Sequence, residues 1–437
     1  MTGTPAALAE PQLGVGPARG GIKSSVGTRS TLVISALCRE LGRSRRIDAL
    51  ALALALTAVP ISIAASETLL TVALISRLIL VATRRASSIV PRVFWIWLGW
   101  ATLEIISWTV SPEPRAGWSE IRRLLLCAAL FLVMPALDET RHQVAAWRGV
   151  FLAAALSSLF LIGDFASRLI YYRRELALGG DPSLYLRSGG LLNNWMVFGT
   201  VAILVLAALL AFSRFYPEEK RVYIPLFVIT GVAIVVSLTR MLWVCSALLL
   251  AAELIWRRSR WTWVAIVLPL ALYLAVPGVI RTRVKESMDP GYYANAERVQ
   301  MLRVGWKMIR NHPLAGVGAG RVERLYANYL SKGEAEPAYH GHLHNNLVQM
   351  AAQSGIPVAV LGVLLVIVLF RDLTKAWKRA QDRGERFLCR TAILGLAGFT
   401  LAGAFDYTYG HSLAIILLSF AVLSPLIPRP ASMGRSE

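Results

Sequence analysis

Long apolar runs alternate with short polar stretches along most of this sequence. A helix that crosses a membrane needs about 20 predominantly apolar residues, and by this rule the pattern predicts about twelve spans. The run from Val222 to Trp256 is too long for one crossing, so we divide it at Thr239-Arg240, because a charge is better placed at a turn. The predicted spans cover residues 48–64, 68–83, 92–110, 122–137, 144–169, 191–212, 222–238, 241–256, 261–280, 346–370, 387–405 and 411–427. The sequence therefore predicts an all-α polytopic membrane protein.

Basic residues give the expected orientation of these spans. Lysine and arginine collect in the short loops on one side of the arrangement, and that side also holds both termini. Such residues favour the cytoplasm, so the opposite face is non-cytoplasmic. The predicted organisation is a cytoplasmic tail whose residues 31–46 form an amphipathic segment (1–47), nine spans (48–280), a long helical outer loop (281–345), three spans (346–427) and a cytoplasmic tail (428–437).

The composition supports a membrane protein and explains the charge. Hydrophobic residues make up 56% of the chain and charged residues 16%, whereas about a quarter of the residues in a soluble domain are charged. The net charge of +20 would suit nucleic acid, but basic loops held in the cytoplasm account for most of it. We therefore expect membrane lipids as partners and no nucleic acid. The four cysteines are isolated, so the sequence supports neither a disulfide framework nor a cysteine zinc site.

The outer loop 281–345 has a helical pattern of its own. Residues Asn295 to Arg310 place Val299, Leu302, Trp306 and Ile309 on one helical face. Asn311-His312-Pro313 ends this helix, since a proline disfavours helical geometry in the residue before it. A glycine-rich stretch, Leu314 to Gly320, then forms a turn, and a second helix is predicted from Arg321 to Ser331.

Three of the six histidines, His340, His342 and His344, lie within five residues at the end of this loop. An imidazole can accept a proton from a hydroxyl near neutral pH. We favour His344 as a general base, because it directly precedes Asn345 and the predicted start of the next span, with His342 as a weaker candidate. Two alternatives stay open: surface polarity at a helix start, and a metal site, since alternate residues of an extended segment point the same way. No carboxylate is evident beside the histidines, so we expect no metal.

Three arginines lie next to the predicted outer ends of spans: Arg187, Arg240 and Arg298. An arginine in a short outer turn opposes the cytoplasmic bias of basic residues and usually has an anionic partner. A guanidinium can bind phosphate with two hydrogen bonds, so two or three arginines would suit a diphosphate. The alternatives are a lipid headgroup contact or an internal salt bridge.

Four stretches together resemble the O-antigen ligase and polymerase superfamily of bacterial envelope glycosyltransferases. They are Arg298 and Trp306 followed by Asn311 to Gly318, His344-Asn345 followed by Gly355, Ser237 to Arg240, and Arg187 to Asn194. The chain departs from the family pattern at Val358, where a small or hydroxyl residue is usual, and at Thr239, where serine is commoner.

The resemblance implies a GT-C-like fold and a ligase reaction. In that reaction, O-antigen carried on undecaprenyl diphosphate is joined to a sugar hydroxyl of lipid A–core, at the periplasmic face of the bacterial inner membrane. It implies an inverting transfer without a cofactor, a histidine base (His344 or His342) and diphosphate contacts from the three arginines. Asn345, Gly355 and Trp306 would support the site.

Related activities remain as alternatives. The single dominant outer loop favours the ligase over an O-antigen polymerase, which tends to carry two large outer loops. The short sequence after the last span favours it over a protein O-oligosaccharyltransferase. A flippase for a lipid-linked sugar, from a different class, would also need about twelve spans, but it would not need the three histidines.

Overall fold

The computed structural model describes residues 46–86, 90–178, 186–258, 278–337 and 341–427. Within these ranges the regular structure is entirely helical, which confirms the all-α prediction. Most of the predicted amphipathic segment 31–46, most of the ninth predicted span 261–280, and His340 lie outside the described residues. The α-helices are α1 (Ile47–Ala58), α2 (Ile63–Ala82), α3 (Val93–Thr109), α4 (Trp118–Val133), α5 (Thr140–Ala177), α6 (Trp195–Phe215), α7 (Lys220–Val236), α8 (Arg240–Trp256), α9 (Gly278–Met288), α10 (Tyr293–Asn311), α11 (Val322–Leu325), α12 (Asn346–Ser354), α13 (Ile356–Arg379), α14 (Arg383–Ala402) and α15 (Ser412–Leu423).

Four of these helices are long and apolar enough to cross a membrane: α2, α6, α13 and residues Thr140–Arg174 of α5. Two shorter apolar helices, α1 and α15, join them in the described part of the chain. Apolar helices of this length support a membrane protein. The total of twelve spans and the orientation of the termini stay predictions.

Local sequence signals placed some helix ends correctly. The predicted division at Thr239-Arg240 is confirmed, because α7 ends at Val236 and α8 begins at Arg240. The boundary between the predicted spans 48–64 and 68–83 was misplaced, since α1 ends at Ala58 and the side chain of Ser62 caps α2 by accepting a hydrogen bond from Ala65 N. Helix α5 is also longer than the predicted span 144–169.

The predicted span 346–370 is wrong as one continuous helix, because the chain breaks at Gly355 between α12 and α13. Gly355 has φ +95°, a conformation that favours glycine. Its backbone also packs so closely on the carbonyl of Leu314 that a Cβ atom would overlap it. Residues 281–337 and 341–345, the described part of the predicted outer loop, are called the outer segment. The outer segment packs against the break between α12 and α13, where the N–H of Ile356 donates to the carbonyl oxygen of Pro313 at 2.8 Å.

The core of the bundle surrounds α6, whose middle residues are buried almost throughout. Helix α14 crosses it closely at Gly398, where a Cβ atom would lie 2.6 Å from Cγ2 of Ile203. A buried ion pair also ties α14 to α8, since Arg390 Nε donates to Glu253 Oε2 at 2.8 Å. These contacts fix α6, α8 and α14 relative to one another.

The outer segment forms a second, smaller core over one end of the bundle. Helix α10 packs through Met301, Val304 and Met308 onto Tyr326 and Leu343. The helix itself and its end at Asn311 agree with the prediction.

The face of α10 that carries Val299, Leu302 and Trp306 is exposed rather than packed on this core. One detail of the outer segment was predicted wrongly. The second helix, expected from Arg321 to Ser331, is only the short α11 followed by a 3-10 turn at Tyr326–Tyr329.

Candidate active site

A cavity of about 950 Å³ opens between the outer segment and the ends of α4, α6 and α8. It combines cationic, imidazole and carboxylate side chains. Among the residues that line it are Arg187, Arg240, Arg298, His342, His344 and His411. Five site residues predicted from separate stretches of the sequence are therefore brought to one cavity. This volume is in the range of cavities that take small-molecule ligands.

His344 is held at the start of α12 by local hydrogen bonds. The side chain of Asn345 caps the helix by accepting from Val348 N at 3.0 Å, and its Nδ2 donates to the carbonyl of Ala404 at 3.1 Å. His344 itself has φ +48°, in the left-handed region that side chains other than glycine rarely adopt. Such backbone strain persists only where the surroundings enforce it.

A carboxylate fixes the ring of His344. Nδ1 of His344 lies 2.9 Å from Oδ1 of Asp406, a fully buried residue in the loop between α14 and α15. Burial opposes ionisation of Asp406, but the hydrogen bond with His344 and the nearby imidazoles hold its pKa below the ordinary value. Asp406 is therefore an ionised acceptor at neutral pH. It orients Nδ1–H of His344 toward itself and leaves Nε2 to accept a proton.

The premise that no carboxylate accompanies the histidines was wrong. Asp406 is 62 residues beyond His344, so spacing within the outer loop could not reveal the pair. The available signal was weak: Asp406 is an acid placed directly after the predicted span 387–405, on the same side as the outer loop. His411, whose Nε2 lies 3.4 Å from the other oxygen of Asp406, was also missed.

His342 has a different environment from His344. The two rings lie 4.2 Å apart between centroids, and the backbone N–H of His344 donates to Nδ1 of His342 at 3.3 Å. Burial lowers the pKa of His342 to about 4, and the neighbouring His344 adds to this effect. His342 is therefore neutral over the physiological range and a weaker base than an ordinary imidazole.

The three predicted arginines all line the cavity, and we call this part of its lining the arginine wall. The guanidinium of Arg240 donates to Oδ1 of Asn295 at 2.5 Å, and that of Arg187 lies 5.8 Å from the ring of Trp195. Burial lowers the pKa of Arg298, and the positive charges of Arg240 and Arg283 act in the same direction. Arg298 is therefore close enough to Arg240 and Arg283 for their charges to repel, and an anion bound among these three would relieve that repulsion.

Arg283, in α9, is a cationic member of this wall that sequence analysis missed. It pairs with Oε2 of Glu286 at 2.6 Å and also lines the cavity. Arg298 and Arg187 differ from Arg240 and Arg283, because neither guanidinium has a hydrogen bond or ion pair with another residue in the described part of the chain. Since Arg187 lies over the ring of Trp195, Arg298 is the member of the wall most available to a ligand.

Two further left-handed residues lie where the chain reaches the cavity. Asn193 (φ +56°) precedes the start of α6, and Leu238 (φ +52°) directly precedes Thr239-Arg240. The left-handed conformation costs roughly 1–2 kcal/mol per residue. Strain of this kind concentrates at functional sites, and here it accompanies the turns that carry Arg240 and His344.

The remaining predicted site residues lie outside the cavity lining. Trp306 is 66% exposed, Gly355 forms the break between α12 and α13, and Asn345 caps α12. The glycine stretch is a packing turn, since the N–H groups of Val317 and Gly318 donate to the carbonyls of Ala352 and Gln353 at 2.8 and 3.0 Å. The supporting role expected of Asn345, Gly355 and Trp306 therefore stays a prediction.

A metal site also has to be considered at this cluster. The ligand atoms of His342, His344 and Asp406 all lie within 4.8 Å of one another, so the three could hold a divalent ion. This set differs from the alternating histidines considered in the sequence, because it uses Asp406 and does not need His340. The expectation of a metal-free site stays a prediction.

Comparison with known proteins identifies the class. An all-helical membrane protein whose cavity combines guanidinium groups with a histidine–carboxylate pair suits transfer of a group from an anionic donor. Residues 225–363 match a family model described as O-Antigen ligase. The match confirms the resemblance to the O-antigen ligase superfamily, and it supports a membrane glycosyltransferase-like enzyme of that superfamily.

The matched residues run from α7 into α13. They include Arg240, Arg298, His342 and His344, whereas Arg187 and Asp406 lie outside them. No curated protein matches the chain.

Proposed function

We propose that this protein is an O-antigen ligase of the bacterial inner membrane. It transfers O-antigen polysaccharide from undecaprenyl diphosphate to a sugar hydroxyl of lipid A–core, at the periplasmic face. The observation that carries the proposal is the His344–Asp406 pair, whose histidine lines the same cavity as Arg187, Arg240 and Arg298.

The arginine wall suits the diphosphate of the donor. As the bond between the sugar and the diphosphate breaks, negative charge grows on the leaving group. Preorganised donors that face this charge stabilise the transition state more than the ground state. Arg298 and Arg240 are proposed as the main contacts, with Arg187 nearby and Arg283 adding positive charge.

His344 is proposed as the general base. Asp406 accepts from Nδ1–H, which makes Nε2 the nitrogen that would take the proton of the acceptor hydroxyl. The acceptor oxygen forms a bond to the anomeric carbon while the bond from that carbon to the diphosphate oxygen breaks. The diphosphate leaves with the electron pair, and the proton ends on His344. His342, with its pKa lowered to about 4, suits a neutral hydrogen-bonding role better than that of a base.

Reconstitution tests this function against the alternatives. Purified protein in liposomes is supplied with the lipid-linked donor and lipid A–core, and the products are separated by size. A ligase yields a larger lipopolysaccharide that depends on lipid A–core. A polymerase lengthens the donor without lipid A–core, and a flippase moves the donor across the bilayer without a new covalent product. Either of the last two results would overturn the proposal.

The reaction is expected to need no metal, because the arginines can neutralise the leaving group by themselves. Ligation by the purified protein should continue at an unchanged rate in excess EDTA. Loss of activity with chelator, restored by a divalent ion, would instead make His342, His344 and Asp406 a metal site. The matching Asp406→Asn variant should then also lose the bound ion.

The outer segment is expected to face the periplasm. All four native cysteines are first replaced, and a single cysteine is then introduced at Lys332 or at Lys378, both of which are exposed. The labelling of each new cysteine reports the side of the membrane on which it lies. An impermeant thiol reagent added to the periplasmic side should label Lys332→Cys and not Lys378→Cys, because the latter lies in the basic stretch predicted to be cytoplasmic. The opposite labelling would reverse the proposed orientation.

A further inference from the structure

An apolar groove lies between α3, α4, α13, α14 and α15, apart from the catalytic cavity. It encloses about 160 Å³ and is lined by residues such as Trp97, Trp100, Leu369 and Leu423. None of the residues that line it also lines the catalytic cavity. The groove is therefore a cavity separate from the catalytic one.

A basic pocket of about 560 Å³ adjoins one end of this groove, and Val93 lines both. The pocket contains Arg92, Lys375 and Arg379, all exposed. Its two acids already have partners, since Asp372 pairs with Arg371 at 3.0 Å and Glu385 accepts from the backbone of Gln381 at 2.9 Å. Since three basic side chains outnumber the two acids, the pocket has a net positive charge.

This pocket lies at the end of the bundle opposite the catalytic cavity. At the other end of α3, the hydroxyl of Ser107 donates to the carbonyl of Ala315 at 2.8 Å, in the outer segment. Helix α13 likewise begins beside the outer segment, at Ile356, and ends at Arg379. The positive end of the groove is therefore far from the arginines of the catalytic cavity.

Two buried indole N–H groups in the apolar groove lack hydrogen-bond acceptors in the described part of the chain. Trp97 and Trp100 are 7% and 3% exposed, and neither Nε1 has a hydrogen-bond acceptor among the described residues. Nε1 of Trp100 lies 3.4 Å from where a Cβ atom on Gly362 would be, and Gly362 lines the groove. A buried donor without an acceptor is costly. A ligand that carries acceptors at this depth would satisfy it.

We propose that the groove and the basic pocket together bind one anionic glycerophospholipid. Its phosphate contacts Arg92, Lys375 and Arg379, and part of one acyl chain enters the apolar groove. Trp97 is five residues from Arg92 along the start of α3, which places it about 7–8 Å deeper at 1.5 Å per residue. That depth suits the ester carbonyls of a glycerolipid, which accept hydrogen bonds. A polyprenyl chain offers no acceptors to the indoles.

Native mass spectrometry of the detergent-purified full-length protein tests this site. The probes are phosphatidylglycerol and phosphatidylcholine with identical acyl chains. The parent protein should retain one phosphatidylglycerol with at least about tenfold preference, since each basic residue near an anionic headgroup contributes about fivefold. The triple variant Arg92→Ala, Lys375→Ala, Arg379→Ala should lose on the order of 100-fold in affinity for phosphatidylglycerol and little for phosphatidylcholine.

A variant that fills the groove provides a second, independent test of the proposed lipid site. In Gly362→Leu, the new side chain would begin 3.2 Å from Sδ of Met350, inside the groove, and both lipids should be lost. Gly231→Leu is the matched control, because nothing lies within 4 Å of its new Cβ. The exposed basic cluster Arg214, Lys220 and Arg221, changed to alanine, is the control for charge.

Two results would overturn the proposal. The first is a triple variant and a Gly362→Leu variant that both hold phosphatidylglycerol as tightly as the parent. The second is displacement of phosphatidylglycerol by undecaprenyl phosphate at equal concentration, which would assign the groove to a polyprenyl lipid. Because the triple variant changes only exposed side chains, it stays informative if Gly362→Leu fails to fold.

Discussion

His344→Ala is expected to lower the rate of ligation by about 10²–10⁴-fold, the usual contribution of a general base. His344→Gln should be equally inactive, because the amide keeps polarity and approximate size but has no basic nitrogen. The variants should still insert and bind donor, since the arginines are unchanged. The measurement is the single-turnover rate with saturating donor and lipid A–core.

A matched histidine outside the cavity controls for this prediction. His312 is exposed and its Nε2 lies 3.1 Å from the hydroxyl of Tyr329, so His312→Ala should ligate near the parent rate. Asp406→Asn should also be strongly impaired, because an amide can donate to Nδ1 and so favour the wrong tautomer of His344. If His344→Gln ligates near the parent rate, His344 only positions a substrate.

Arg298→Lys and Arg240→Lys are expected to lose on the order of 10- to 100-fold in kcat/KM for the donor. Lysine keeps the charge but not the planar fork that binds phosphate with two hydrogen bonds, and one charge-assisted hydrogen bond is worth about 1.5–3 kcal/mol. The loss should be greater for Arg298, because Arg240 also donates to Asn295.

Arg303→Lys provides the control on the same helix. Arg303 is exposed and pairs with Glu334, away from the lining of the catalytic cavity. This variant should keep parent kinetics. If Arg298→Lys and Arg240→Lys also keep parent kinetics, the two arginines act only as point charges or lipid contacts, and the proposed bidentate binding of the diphosphate is wrong.

Much of the site was predictable because its signals are local. An arginine inside an apolar run predicts a turn, and the structure has one at Arg240. Asparagine before an apolar run predicts a helix start, and Asn345 caps α12. The helix from Tyr293 to Asn311 also follows from its own periodicity and from the proline that follows it.

The features that were missed depend on contacts between distant parts of the chain. Asp406 reaches His344 only when the loop before α15 folds over α12. The break at Gly355 exists because the outer segment inserts there. For α10, periodicity allowed two apolar faces, and the position of Leu343 and Tyr326 decided which one is buried. The hydrophobic pattern alone does not determine these contacts between residues that are distant in the sequence.

The anomeric configuration of the new linkage tests the central claim most directly. If a hydroxyl activated by His344 displaces the diphosphate in one step, the linkage formed must have the configuration opposite to that of the donor. Purified protein, donor and lipid A–core would be combined, and the linkage determined by NMR of the isolated product. We expect inversion, with no product from His344→Gln. Retention of configuration would contradict the account, because a single displacement by the activated hydroxyl inverts the anomeric centre.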